Sequence, residues 1–329
     1  MFGEFDVRQA RDRGVYSLGK QVAMTAALPL FLSLSACQHS PAQESAAAPA
    51  LKVDARVPQF KKVVLLLFEN EDFDRPISHP FFSEMAKKGA LLTNYHAVAH
   101  PSEPNYIALT SGDTQGVTDD ADHDLPGKHL GDLLEERGKT WKNYAENFPG
   151  NCFRGAFRGK YARKHTPFIS YTNVSQSARC SRIVDASEFE SDVKKNQLPD
   201  FSFYTPNMDN DAHDTDIGTA DRWFKNTFEP LLDLPGFKDV VLIVTFDENE
   251  CNTIGPWVAS AKVASCKGDT NQVYTIFYGA GVMRGVRSRF FANHYSLLKT
   301  IEAGFGLGSL GKQDEDAEVI SGIWTGIAR

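Results

Sequence analysis

Two short polar clusters each close a run of apolar residues. KVVLLLF at 62–68 is followed by Glu69-Asn70-Glu71-Asp72, and VVLIVTF at 240–246 by Asp247-Glu248-Asn249-Glu250. Carboxylates with an amide oxygen are hard ligands, suited to a divalent cation and to the polarisation of a phosphoryl group. Either cluster alone could be a solvated acidic turn; their matching placement after two buried runs favours a shared site. The segment His100-Pro101-Ser102-Glu103-Pro104-Asn105-Tyr106 opens a further apolar stretch and predicts a helix with Ser102 as its N-cap. A hydroxyl there lies at the positive end of a helix dipole, where free amides favour an anion. Serine is a poor nucleophile until a base or a metal activates it, so the acidic clusters would have to supply that activation.

Two histidine motifs add to this set. Residues 207–214 hold three Asp, two Asn and His213, a density that a plain loop seldom needs and that could bind metal or supply a general acid. His294 follows Asn293 at the start of the last apolar helix, where it could be a site residue or a structural one. Between Asn151 and Arg182 the chain carries seven basic residues, Arg154, Arg158, Lys160, Arg163, Lys164, Arg179 and Arg182, and no acidic one. Such a stretch could clamp a phosphate, face anionic lipid headgroups, or simply be solvated.

The elements that position these residues follow from the apolar pattern. Continuous apolar runs at 62–68, 240–246 and 273–278 suit strands buried on both faces of a parallel sheet, with weaker strands expected at 90–96, 140–144 and 201–204. Helical spacing occupies 77–88, 103–110, 128–137, 219–232 and 295–305. Strands alternating with helices imply an α/β fold with a mainly parallel central sheet covered by helices on both faces. Ligands in such sheets bind beyond the carboxyl ends of the strands, where both acidic clusters fall.

With 35 Lys+Arg against 42 Asp+Glu in 329 residues, the chain carries a formal charge of −7, which argues against nucleic acid as a partner. Residues 1–36 read as an export signal: basic residues up to Lys20 precede a charge-free stretch too short to span a bilayer. It ends in Leu34-Ser35-Ala36-Cys37, which resembles a bacterial lipobox and implies lipidation of Cys37. The expectation is therefore an exported protein, lipid-anchored in the cell envelope at the periplasm or outer membrane. Residues 37–58, rich in Ala, Ser, Gln and Pro, form a flexible tether, and 59–329 form the folded domain. Four cysteines remain in an oxidising compartment. They allow three pairings, of which sequence proximity favours Cys152 with Cys180 and Cys251 with Cys266. The first would hold a basic insertion at about 150–185. None of the spacings is the short C-x2-C of a zinc knuckle.

Taken in order, FENEDF, HPSEPNYIALTSGD, YARKHTPFISYTN, FYTPNMDNDAHDT, VTFDENE and NHYSLLKTIEAGFGL resemble the phosphoesterase family of secreted acid phosphatases and bacterial phospholipases C, over about 62–307. The likeness is greater to the acid phosphatase branch. It implies an alkaline-phosphatase-like fold and one divalent metal ion held by Glu69, Asn70, Ser102, Asp247 and Glu248. Ser102 would be the nucleophile and form a phosphoserine. His213 or His165 would be the general acid, and Asn105, Lys164 and His294 would bind substrate. Phe73 stands where many members have Tyr, which weakens any inference about substrate fit there. The resulting expectation is a metal-dependent acid phosphatase acting on phosphate monoesters of small molecules or lipid headgroups. Its rivals are a phospholipase C or other phosphodiesterase, and a non-enzymatic lipoprotein that binds phosphate or metal.

Overall fold

The computed structural model describes residues 54–250 and 270–326. The export signal, Cys37, most of the tether and the expected Cys251–Cys266 pair lie outside the described residues. Val57, within the expected tether, is already buried in the core.

The two strongest apolar runs become the middle of the sheet. β1 (Lys62–Phe68) lies between β8 (Phe201–Thr205) and β9 (Val240–Phe246), paired in parallel with both. Beyond β8 come β4 (Trp141–Ala145) and the edge strand β7 (Ile183–Asp185), also parallel. Beyond β9 come β10 (Thr275–Gly279), β2 (Ala90–Leu92) and β11 (Val286–Ser288). The expected parallel strand at 273–278 is corrected here: β10 pairs antiparallel with both β9 and β2. Burial on both faces produces a continuous apolar run whichever way the strand points, so the run does not encode direction. The run at 90–96 likewise divides into β2 and the short β3 (Tyr95–His96), which pairs with β12 (Ala292–Asn293) outside the main sheet.

Helices cover both faces. On one, α2 (Pro80–Lys88) and α7 (Ile217–Phe228) close an aromatic cluster in which Phe68 meets Phe82, Phe224 and Phe246 at 5.2, 5.7 and 5.4 Å between ring centroids. α6 (Ser187–Lys194) extends that layer, with Phe189 against Tyr204 of β8. On the other face α3 (Ser102–Ser111) packs beside α8 (His294–Phe305), and Tyr106 of α3 meets Phe203 of β8. The helical pattern at 77–88 is interrupted: α1 (Asp74–Ile77) ends before Pro80, which starts α2 because proline fits a first turn but not an interior.

Cys152 and Cys180 form a disulfide. The segment it closes carries a hairpin of β5 (Phe157–Arg158) and β6 (Tyr161–Ala162), and just beyond it the chain adds β7 to the main sheet. The positive region expected there is largely neutralised. Arg154 and Arg163 pair with Asp124, Lys164 with Asp120, Lys160 with Asp209, and Arg179 with Asp132. The acidic partners come from other stretches of chain, which is why a window on 151–182 shows only one sign. Among the described residues no helix is long and apolar enough to cross a membrane.

Candidate active site

Parallel strands deliver their carboxyl ends to one edge of the sheet, so Glu69 after β1 and Asp247 after β9 become neighbours. Their backbones are stitched together: Asp247 N–H donates to Phe68 O at 3.0 Å, and Glu71 N–H donates to Glu248 O at 3.2 Å. Asn70 adopts a left-handed conformation, φ +43°, which asparagine tolerates better than most residues. Its N–H donates to Asp247 Oδ1 at 3.0 Å.

Ser102 arrives from the opposite direction on α3. Pro101 takes the N-cap position and Ser102 the first helical one, so the expected capping role falls away. Asp120 does the work of a cap instead, its Oδ1 accepting from Glu103 N–H at 3.0 Å. The Ser102 hydroxyl is free to point at the carboxylates, with Glu69 Oε2 at 2.9 Å and Glu248 Oε1 at 3.4 Å. One turn along the same helix face, Tyr106 donates to Glu69 Oε1 at 2.5 Å. Asn105 is fully buried, and its amide is occupied by the loop before the helix. Its Oδ1 accepts from Val98 and Ala99 N–H, and its Nδ2 donates to Ala99 O and Pro101 O. Through these bonds it holds the approach to Ser102.

The insertion and the 207–214 loop complete the wall. His165 lies flat on Tyr106, ring planes 8° apart. Its Nε2 is 3.1 Å from Glu69 Oε1 and its Nδ1 3.2 Å from Asp211 Oδ2, so it is wedged between two carboxylates. His213 keeps Nδ1 beside Asp214 Oδ1 at 2.9 Å and Nε2 beside Lys164 Nζ at 3.4 Å. Lys164 also pairs with Asp120 at 2.9 Å. His294 is fully buried behind Asp247. The Asp247 carbonyl can only accept, so His294 Nε2 donates to it at 2.7 Å, and Nδ1 accepts from Tyr95 OH at 2.9 Å. Both ring nitrogens are thus engaged by the scaffold around Asp247.

Four residues of this site were absent from the expected set. Asp211 sits in the dense 207–214 motif, from which only His213 stood out. Tyr106 is four residues beyond Ser102, a helical spacing that could have revealed it. His100, in the same motif, sets its Nδ1 against the Glu248 carboxyl group. Asp120 carries no local signal at all.

The charges are in tension. Burial, together with Asp247, holds the Glu69 carboxyl well above its ordinary range, and burial does the same to Asp211. Burial and the adjacent Glu248 push Asp247 up to about 7. Burial holds His165 well below the usual imidazole value, reinforced by Lys164 and His213. For Lys164 burial acts downward, but Glu69 and Asp120 outweigh it and the ammonium is held above its usual value. Buried carboxylates that resist ionisation are what a bound cation would relieve. Among the described residues Asn70 Oδ1 and Asp247 Oδ2 are buried and accept no hydrogen bond, and both belong to the expected ligand set. Among the described residues no three His, Cys, Asp or Glu side chains stand closed into a coordination shell. The fit to a divalent cation therefore rests on the oxygen-only character of the Glu69, Asn70, Ser102, Asp247 and Glu248 set and on its orphaned acceptors.

The fold defines the class first. A structure described as a protein of the alkaline phosphatase superfamily from Vibrio parahaemolyticus superposes with a TM-score of 0.52 at 15% identity, covering 80% of this chain and 71% of that one. The family follows from sequence: the phosphoesterase family model matches residues 75–308, and the chain belongs to that family of hydrolases acting on phosphoric esters. A probable acid phosphatase from Kluyveromyces lactis is 34% identical over 317 residues, spanning 91% of this chain and 72% of that protein. A phosphatidylinositol-3-phosphatase from Mycobacterium tuberculosis is 33% identical over 273 residues, spanning 82% of this chain and 84% of that protein.

Proposed function

We propose that this chain is a metal-dependent acid phosphatase that hydrolyses phosphate monoesters through Ser102. The observation that carries the reading is the Ser102 hydroxyl at hydrogen-bond distance from Glu69, on the first turn of α3 and at the carboxyl edge of the sheet. A divalent cation held by Glu69, Asn70, Asp247 and Glu248 would lower the hydroxyl pKa and neutralise phosphoryl charge. The chain's own groups account for the rest. Ser102 Oγ forms a bond to phosphorus as the ester oxygen leaves, and its proton passes towards Glu69 Oε2, 2.9 Å away. Lys164 exchanges Asp120 for the non-bridging phosphoryl oxygens.

His213, partly open and oriented by Asp214, gives its proton to the departing alkoxide. His165 is the weaker candidate for that acid, because it is enclosed and its surroundings oppose protonation. Water then cleaves the phosphoserine, phosphate leaves, and the hydroxyl is restored. Acid phosphatase names among the relatives and the name of the mycobacterial relative favour monoesters, those of lipid headgroups included. The disulfide Cys152–Cys180 supports a location outside the cytoplasm, and we assign the anchor to Cys37.

The test is hydrolysis of an aryl phosphomonoester, an aryl phosphodiester and phosphatidylcholine, each with and without chelator, by the parent and by Ser102→Ala. The expected result is monoester turnover that chelation stops and that the variant loses by roughly 10³-fold or more with its fold intact. Full monoester activity in Ser102→Ala overturns the assignment, and turnover confined to the diester or the phospholipid favours the phosphodiesterase.

A further inference from the structure

A second cavity lies beside the catalytic edge. It encloses about 430 Å³ and is lined by Glu146, Asp185, Phe189, Tyr204 and Trp223 among others. Glu146 directly follows β4, Asp185 ends β7 and Tyr204 is near the end of β8, so the cavity opens at the same carboxyl edge as Glu69. β8 separates β4 from β1, which places the two regions about 10 Å apart across the sheet. The mechanism uses none of these five residues.

The chemistry of the walls is specific. Tyr204 meets Phe189 at 5.0 Å and 82° and Trp223 at 5.8 Å and 51°, so three aromatic rings meet at mutual angles. Glu146 accepts only from neutral amides, the Asn207 N–H and the Asn210 side chain. Asp185 accepts from the Ser187 N–H. Among the described residues neither carboxylate has a basic partner, whereas Glu190 at the rim is paired with Lys194. Tyr204 is 3% exposed, lines the cavity, and makes no hydrogen bond through its hydroxyl among the described residues. Two uncompensated carboxylates repel an anion. A bare metal ion would leave the aromatic side of the cavity unused. An organic ammonium satisfies both surfaces, because the partly open Trp223 ring attracts a cation and the carboxylates supply the counter-charge; Phe189 and Tyr204 back that ring from the core.

We infer that this cavity is a binding site for a small organic ammonium ion of about the size of choline. Its floor is tied to the catalytic wall: Glu146 holds Asn207 and Asn210, and the next residue, Asp211, is the carboxylate against His165. Occupancy would thus be sensed by the loop that also carries His213.

The experiment is calorimetric titration of the full chain with choline chloride, against sodium chloride at the same ionic strength. Saturable binding at one site is expected, weakened about fivefold or more in Asp185→Asn and in Trp223→Leu. Thermal melts check that each variant is folded; if Trp223→Leu is not, the isosteric Asp185→Asn decides alone. Heats no different from those of sodium chloride overturn the inference, and so does parental choline affinity in the folded variants. Because the readout is binding, its outcome is independent of whether Ser102 is the nucleophile.

Discussion

Glu302 offers a sharp test of how this fold handles buried charge. It lies on α8, is 2% exposed, and among the described residues neither carboxyl oxygen accepts a hydrogen bond. It faces Asp314 of the short helix α9 (Gln313–Asp316), which is wholly buried and whose oxygens already accept from Ser309, Leu310 and Lys312. Burial, reinforced by Asp314, pushes the Glu302 carboxyl up to about 9 from an ordinary 4.5. A group whose folded pKa is raised contributes stability that is complete below its unfolded pKa and is lost as pH rises towards the folded one. At pH 7.5 the folded protein still keeps this proton while the unfolded chain releases it. The cost relative to pH 4 is about 4 kcal/mol at 1.36 kcal/mol per pH unit, and coupling to Asp314 reduces it to about half. Glu302→Gln removes the titration, keeps the shape and can donate to Asp314. Urea denaturation between pH 4 and 8 is therefore expected to show parent and variant converging near pH 4. At pH 7.5 the variant should be about 2 kcal/mol more stable. A variant that is less stable by the same margin at every pH would mean that Glu302 is ionised in the fold, and the account of its burial would be wrong.

Two further substitutions separate chemistry from packing. His213→Gln should slow hydrolysis of an alkyl phosphate by about 10²–10⁴-fold but cost much less with p-nitrophenyl phosphate, whose leaving group needs no proton. Equal losses on both substrates would remove His213 from the role of acid. Phe224→Ala empties a site bounded by Phe68, Phe81, Phe82 and Phe228 at 4.8–5.7 Å. It should lower stability by about 3–5 kcal/mol, read from the denaturant midpoint at constant slope.

Much of the sheet and the carboxylate half of the site could be read from the chain, because both depend on local pattern. Burial on two faces writes itself as an unbroken apolar run, and the polar residues that end β1 and β9 follow directly in sequence. What stayed hidden depends on neighbours. The direction of β10 is set by its partners β9 and β2, and its composition is the same either way. The surroundings of Asn105 and His294 were illegible for a related reason. Polar residues beside a motif look alike in sequence until their hydrogen bonds are counted: Asn105 bonds to the backbone before α3, and His294 to the Asp247 carbonyl and the Tyr95 hydroxyl. The same holds for the basic stretch, whose counter-charges are carried by Asp120, Asp124 and Asp209 elsewhere in the chain.

Asp120 explains how the hydroxyl of a helix-terminal serine stays off its own helix. A serine at the N-cap turns its oxygen back on its own helix, an arrangement that stabilises by about 1 kcal/mol and occupies a lone pair. Here Pro101 sits at that position without a side-chain donor or acceptor, and the Glu103 N–H is satisfied from outside by Asp120. The hydroxyl is left to Glu69 and Glu248. The other Asp120 oxygen holds Lys164, so the residue that leaves the Ser102 hydroxyl free also fixes the Lys164 ammonium. Asp124, four residues on, binds Arg154 and Arg163, which flank the hairpin of the disulfide-closed segment. The N-terminus of α3, the acidic loop and the insertion are consequently one electrostatic unit. A basic insertion that looks in sequence like a surface for anions is in the fold the counterweight that keeps Asp120 in place.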